Sequence, residues 1–141
     1  MRHIAAILIV VASLCRPALA QISPSVAVSR YFVTSDGARL HYTDTAPGSA
    51  RGPVLVMVPG WTMPGWIFAP QVTAFAPRYR VVALDPRGQG DSDAPPTGYD
   101  QDRRGDDIAE LLGRIGSRRV VLLGWSLGGL DSLAYVRAVA M

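Results

Sequence analysis

A serine flanked by glycines, Ser126, is the residue of this sequence best placed to do chemistry. A run of β-forming residues, Val120–Leu123, leads directly into Gly124-Trp125-Ser126-Leu127-Gly128, and apolar residues at helical spacing follow. Gly-x-Ser-x-Gly between a strand and a helix is typical of a sharp turn that exposes a nucleophilic hydroxyl. Glycines are expected on both sides of the serine because a Cβ atom there would crowd the turn. The alternative is that Ser126 only caps a helix that follows a strand.

Two earlier segments favour the catalytic interpretation. Residues 53–58 and 80–85 are short apolar runs that each predict a fully buried strand. The first run is followed by Pro59-Gly60-Trp61-Thr62, and the second by the glycine-containing string at 86–92. The Ser126 segment therefore becomes the third of three strand-and-loop units.

The order and motifs of these three units resemble the α/β-hydrolase superfamily, and the resemblance covers residues 30–141. It implies an α/β fold in which an N-terminal β-hairpin precedes parallel strands with covering helices. The fold is expected to be partial, because the strands that follow the nucleophile in this superfamily are lacking here.

The resemblance also implies roles for individual residues. Ser126 matches the nucleophile, and the backbone N–H groups of Trp61 and Leu127 match the oxyanion hole, which stabilises the negative oxygen formed during acyl transfer. Trp125, together with Trp61, is expected to wall the substrate pocket. No metal and no cofactor are implied. Pro59 stands where the family usually has histidine, which we expect to weaken loop packing more than it affects the chemistry.

Two other residues near these motifs are interpreted as structural. Arg87, in the string that follows the second strand, is expected to belong to the scaffold that shapes the rim of the site, the alternative being a contact with substrate. Trp66 is expected to pack at the edge of the sheet, since tryptophan is often buried for its area.

The sequence lacks the partners that a nucleophilic serine needs. In this family the catalytic acid and then the histidine follow the serine, whereas both histidines, His3 and His41, precede Ser126. His41 alternates with its neighbours like an ordinary sheet residue. Asp131 lies about one and a half turns along the helix after Ser126 and is not expected to be the triad acid. We therefore expect the front half of a hydrolase, from a truncated or frameshifted reading frame; a self-contained short fold is the alternative.

The N-terminus predicts export. A basic start, an apolar run at Ile4–Leu14 and the small residues Ala18 and Ala20 are typical of a signal peptide spanning residues 1–20. The apolar run is too short for a membrane anchor, which needs about 20 residues, so no stable anchor is expected after cleavage. The single cysteine, Cys15, would leave with the peptide. A linker at 21–29 and a truncated hydrolase domain at 30–141 should follow, in the periplasm or secreted.

The remaining segments fit the same architecture. A turn at 35–37 predicts a hairpin between strands at 30–34 and 39–43. A first covering helix is expected at 66–75, with a kink or a late start caused by Pro70. Further predictions are a polar surface loop over 91–106 and an amphipathic helix over 108–115 that ends at Gly116.

Two classes of function remain open. The first is an exported serine hydrolase that acts on a carboxylic ester or related acyl bond of a small molecule. The second is a catalytically inactive fragment, or a binding module that retains half a pocket. A net charge of +3 without a basic stripe makes nucleic acid an unexpected partner. Serine rather than aspartate at position 126 disfavours epoxide hydrolases and dehalogenases, whereas peroxyacid, C–C and peptide-bond chemistry stay open, as does the oligomeric state.

Overall fold

The computed structural model describes residues 27–45, 52–117 and 119–140, so the predicted signal peptide and most of the predicted linker lie outside it. Within these residues strands and helices alternate after an initial hairpin. The elements are β1 (Val28–Val33), β2 (Arg39–Asp44), β3 (Val54–Val58), a 3-10 helix (Gly65–Phe68), α1 (Ala69–Phe75), β4 (Val81–Leu84), α2 (Gln101–Ile115), β5 (Val120–Gly124) and α3 (Leu127–Ala140).

The five strands form one mixed sheet in the order β1-β2-β4-β3-β5. The hairpin β1–β2 is antiparallel and joins β4 in antiparallel pairing, whereas β3 runs parallel to both β4 and β5. The predicted fold class, a hairpin followed by parallel strands with covering helices, is therefore confirmed. β1 begins at Val28, so its first two residues come from the segment predicted as linker.

Helices cover both faces of the sheet, and apolar side chains of the strands pack against them. On one face, valines of β3 such as Val56 pack with Ile108 and Leu111 of α2. On the other face, Met57 packs with Phe68 of the 3-10 helix. Successive residues of a strand point to opposite faces, so the continuous apolar run of β3 follows from its being covered on both sides.

The prediction of a surface loop over 91–106 is wrong for its last six residues, because α2 already begins at Gln101. Asp100 caps this helix by accepting a hydrogen bond from the N–H of Arg103 at 2.9 Å. The first turns of α2 look like a loop because they are polar, yet Arg104 and Asp107 are buried in ion pairs. The predicted end is confirmed, since Gly116 adopts a left-handed φ of +66°.

The first covering helix starts late, as Pro70 predicts. The segment enters as a 3-10 turn, and the α-helix begins at Ala69 with Pro70 in its first turn. Proline is tolerated there because the N–H groups of a first turn have no partner within the helix.

β5 is an open edge of the sheet. Among the described strands it pairs only with β3, and Val121 on it is 48% exposed. The helix that follows is apolar on its outer side as well, with exposed side chains at Leu130, Leu133, Val136 and Val139. No helix among the described residues combines the length and the apolar character needed to cross a membrane.

We expect the open edge to drive self-association, because unpaired N–H and C=O groups beside apolar side chains are a template for another strand. Val121→Lys should shift the weight-average mass from sedimentation velocity toward the monomer at concentrations where the unmodified chain associates. Val33→Lys, at an exposed position of β1, the other edge, is the matched control. A chain that stays monomeric throughout, or equal effects of both lysines, would contradict the expectation.

Candidate active site

Ser126 occupies a strained turn between β5 and α3. Its φ is +54°, and its side chain lies at the surface. Among the described residues other than glycine, only Thr62 shares a positive φ, at +60°. Such a backbone is costly for a residue with a Cβ atom and most unusual for a β-branched one such as threonine. Strain of this kind concentrates at functional sites, and both strained residues follow the ends of adjacent parallel strands.

Glycines allow the serine turn to approach the end of β3. A Cβ atom on Gly128 would lie 2.2 Å from the carbonyl oxygen of Val58, and one on Gly124 would lie 2.4 Å from the carbonyl oxygen of Gly128. A Cβ atom on Gly60 would lie 3.1 Å from the Cβ of Ser126. The backbones are thus in direct contact, which explains why both glycines of Gly-x-Ser-x-Gly are needed.

The two expected oxyanion donors belong to the segments that meet at this contact. Trp61 directly follows Gly60, and Leu127 is the first residue of α3, where an N–H has no partner within the helix. Among the turn and loop hydrogen bonds of the described residues, none uses either N–H, whereas Gly128 and Gly129 donate to the carbonyls of Trp125 and Ser126 at 3.0 and 2.9 Å.

The three tryptophans differ in their surroundings. Trp125, 48% exposed, lines an open cavity of about 530 Å³. The other residues that line this cavity are Met63, Ile67, Phe68, Gln71, Leu123 and Gly124. Trp61 is 62% exposed and does not line it. The expectation for Trp66 is wrong: its side chain is 73% exposed, because Gly65 and Phe68 are the buried positions of this 3-10 turn.

His41 is fixed far from the serine. It is 5% exposed on β2, which β4 and β3 separate from β5. Its Nδ1 lies 2.8 Å from Asp85 Oδ2, and its Nε2 lies 2.7 Å from Ser29 Oγ. With both ring nitrogens engaged, His41 is a sheet residue, as expected.

The same corner of the sheet holds a group of potential metal ligands. Ligand atoms of His41, Asp85 and Asp91 lie within 4.8 Å of one another. Hydrogen bonds account for this proximity, since Asp85 Oδ2 contacts His41 Nδ1 and also accepts the backbone N–H of Asp91 at 2.9 Å.

Asp131 and Arg87 are occupied in buried ion pairs. Asp131 accepts a bifurcated hydrogen bond from Arg104 Nε, 3.0 Å from each carboxylate oxygen, and a second hydrogen bond from Arg104 Nη2 at 2.7 Å. It is therefore unavailable as a triad acid. Arg87 donates to both carboxylate oxygens of Asp107 at 2.6 Å, and also to Asp36. This agrees with the interpretation of Arg87 as scaffold.

The network around Arg87 shifts the pKa values of its members. The hydrogen bond to Asp107 raises the pKa of the Arg87 guanidinium, and the hydrogen bond from Arg87 holds the pKa of Asp36 below its usual range. Burial raises the pKa of Asp107 despite its arginine partners. These groups hold the loop after β4 against α2 and the hairpin turn, away from Ser126.

Sequence reasoning missed two features of the site. Nothing in the sequence marks Thr62 as strained, since threonine rarely adopts a positive φ. The carboxylate of Asp85 accepts the backbone N–H of Gly65, directly after the loop that carries Trp61, at 2.5 Å. The string from Asp85 to Ser92 signalled a scaffold there, but not this contact.

Comparison with known proteins agrees with this geometry. The profile of the alpha/beta hydrolase fold matches residues 53–138. The chain is 38% identical over 104 residues to a non-heme chloroperoxidase of Streptomyces lividans, covering 73% of this chain and 37% of that protein. It is 30% identical over 105 residues to a soluble epoxide hydrolase of Corynebacterium sp., covering 74% and 35%. The solved esterase RhEst1 from Rhodococcus sp. matches with a TM-score of 0.70 and 38% identity, covering 78% of this chain and 40% of that one.

The chain therefore belongs to the α/β-hydrolase family, and its relatives are hydrolases of several kinds. It spans between a third and two fifths of the length of the relatives named above.

The contact between Gly128 and the end of β3 provides a direct test of this geometry. Gly128→Ala should lower the free energy of unfolding by about 1–3 kcal/mol, because the new Cβ atom meets rigid backbone rather than a movable side chain. Gly129→Ala, one residue further along α3, is the control. Its Cβ atom would lie 3.6 Å from the nearest atom, an ordinary contact, so a gain of about 0.5–1 kcal/mol is expected from helix propensity. Urea unfolding of both variants measures the difference; equal effects would show that the close approach is absent.

Proposed function

We propose that this chain carries the nucleophile and the oxyanion hole of a serine hydrolase, which acts on a carboxylic ester or related acyl bond of a small molecule. The single observation that carries the proposal is the strained turn at Ser126, which lies so close to Gly60 that a Cβ atom there would be 3.1 Å from the Ser126 Cβ. A helix cap does not need a left-handed serine, since an N-cap residue ordinarily has an extended backbone. An exposed nucleophile on a strand-to-helix turn does.

The chemistry follows from these positions. Ser126 Oγ attacks the carbonyl carbon of the ester, its proton passes to a base, and the carbonyl oxygen becomes negative. The N–H groups of Trp61 and Leu127 stabilise that oxygen, assisted by the positive end of the α3 dipole. The C–O bond to the alcohol then breaks, the alcohol leaves with a proton, and water hydrolyses the acyl-enzyme ester.

The base is not one of the described residues. His41, on β2, is held by Asp85 and Ser29, and two strands, β4 and β3, lie between it and β5. An unassisted serine hydroxyl is a poor nucleophile at neutral pH. We therefore propose that the 141-residue chain alone is nearly inactive, and that a complete site takes its acid and histidine from a longer polypeptide.

The cavity beside Trp125 supports an apolar substrate. Its lining is mostly aliphatic, aromatic and thioether side chains, with Gln71 as the polar exception. Pockets of this composition bind the apolar portion of a ligand and leave orientation to a few polar groups. We propose that Trp125 contacts the acyl or alcohol part of the ester there.

The lack of a base beside Ser126 among the described residues favours a second candidate function, in which the chain is an inactive fragment or a binding module. Catalysis and binding make different demands on Ser126. Binding of an apolar ligand beside Trp125 does not need its hydroxyl, whereas turnover does.

Ester hydrolysis tests the proposed function. The isolated chain and its Ser126→Ala variant should hydrolyse p-nitrophenyl butyrate at rates within about twofold of each other, since a serine without its base loses most of its advantage. A chimera in which residues 28–138 replace the corresponding part of the Rhodococcus esterase should hydrolyse it at least about 100-fold faster than the Ser126→Ala form of the chimera.

Two results would contradict this account. Rapid, Ser126-dependent hydrolysis by the isolated chain would show that it holds its own base, with His41 as the candidate. A chimera that folds, as judged by circular dichroism, and has the same activity with and without Ser126 would rule out the nucleophile and favour the binding module.

We also propose that the chain is exported, from the signal-like residues 1–20. The exported product should begin at Gln21, and N-terminal sequencing of protein from the periplasm or medium measures this. A product that retains Met1 and sediments with membranes would exclude cleavage after Ala20.

A further inference from the structure

One buried carboxylate ties the loop that carries Trp61 to the rest of the sheet. The loop runs from Pro59 to Pro64, between the end of β3 and the 3-10 helix that begins at Gly65. At its far end, the N–H of Gly65 donates to Asp85 Oδ1 at 2.5 Å. The backbone of Gly65 lies against β4, because a Cβ atom there would be 3.0 Å from the carbonyl oxygen of Leu84. The end of the loop is thus held by Asp85, the residue that follows β4.

The other carboxylate oxygen of Asp85 is occupied as well. Asp85 Oδ2 accepts the N–H of Asp91 at 2.9 Å and lies 2.8 Å from His41 Nδ1. Gly90 makes room for this, since a Cβ atom there would lie 2.1 Å from Asp85 Oδ2. Asp85 is buried, so its hydrogen bonds are shielded from water. Charge-assisted bonds of this kind are stronger than neutral ones and define a geometry.

The backbone around Asp85 is fixed from the hairpin side. Ser92 Oγ donates to the carbonyl oxygen of Asp85 at 2.5 Å and accepts the N–H of His41 at 2.8 Å. The N–H of Asp85 donates to the carbonyl oxygen of His41 at 3.0 Å. Strand β2 therefore holds Asp85 in one orientation, with its Oδ1 directed at the loop.

We propose that Asp85 is a positioning residue for the oxyanion hole, and that His41 orients it. This role rests on the proposed function. In it Asp85 and His41 position the loop that carries Trp61 and transfer no proton to or from the substrate. Near its start the loop contacts the Ser126 turn through Gly60, and at its end it is held by Asp85. The N–H of Trp61 lies between these two fixed points. Without the hydrogen bond from Gly65 to Asp85, the N–H of Trp61 can move relative to Ser126.

Amide hydrogen exchange on the full chain tests the proposal without relying on catalysis. Asp85→Asn keeps the size of the side chain but replaces one carboxylate oxygen with an amide N–H₂, which faces a hydrogen-bond donor and cannot accept from it. Exchange at Gly65 and Met63 should rise about tenfold or more. Exchange at Val56 and Val82, in the strand core, should stay unchanged.

The matched control is Asp93→Asn. Asp93 lies in the same connection and accepts the N–H of Arg39 at 2.9 Å through its carboxylate, away from the loop that carries Trp61. This variant should leave Gly65 and Met63 unchanged. Unchanged exchange at Gly65 in Asp85→Asn would overturn the proposal, and so would an equal rise in the strand core, which would indicate general destabilisation.

Two substitutions of His41 keep the proposal testable if Asp85→Asn does not fold. In His41→Asn the amide nitrogen can take the place of Nδ1 and still donate to Asp85, whereas the longer side chain of His41→Gln places its amide nitrogen nearer to Nε2. Loop protection should survive in His41→Asn and be lost in His41→Gln. Loss in both or retention in both would show that His41 does not orient Asp85.

Kinetics in the esterase chimera distinguish a failure of the positioning role of Asp85 from a failure of the proposed function. An oxyanion donor acts mainly in the transition state, so Asp85→Asn should lower kcat about 10- to 100-fold with KM unchanged. A loop that loosens while kcat is unaffected would overturn the positioning role. A parent chimera without Ser126-dependent turnover would instead refute the proposed function, and the exchange result would then stand by itself.

Discussion

The close approach of α3 to the end of β3 is the constraint on which the candidate site depends. Gly128 lies against the carbonyl oxygens of Val58 and Pro59 at separations that exclude any side chain. The N–H of Trp125 donates to the carbonyl oxygen of Val58 at 3.0 Å, which fixes the turn from the other side. The left-handed φ of Ser126 is the cost of joining strand and helix at this distance. The contacts on both sides of the turn keep that strain in place.

Buried ion pairs fix the positions of the helices, just as close glycine contacts fix the position of the Ser126 turn. Asp107 and Asp36 surround the fully buried Arg87, and Asp131 holds Arg104, so α2 is tied to the hairpin turn, to the loop after β4 and to α3. Removing one partner of such a pair leaves an uncompensated charge, a costly outcome. The pairs therefore specify how the segments meet, while the apolar clusters on the two faces of the sheet supply most of the favourable free energy.

The sequence predicted best what depends on local pattern. The apolar runs at 53–58 and 80–85 became β3 and β4, and the segment around Ser126 became a strand, a sharp turn and a helix, because each follows from periodicity or from glycine positions. The start of α2 was missed because its first turns are polar and show no apolar periodicity. Their buried ion-pair partners lie far away in sequence, as Asp131 does for Arg104. The anchoring of the Trp61 loop by Asp85 was missed for the same reason, since Gly65 and Asp85 meet only in the folded sheet.

The strand order also bears on how the chain acquires its shape. The hairpin β1–β2 forms from neighbouring residues, but β5 pairs with β3, where Val54 lies opposite Val120, and the residues between these two positions include β4 and α2. Closing so long a loop costs entropy before any contact is gained, and parallel pairings of this kind are slow. The Ser126 turn is therefore expected to be among the last features to form, and to be absent from chains that have folded no further than the hairpin and β4.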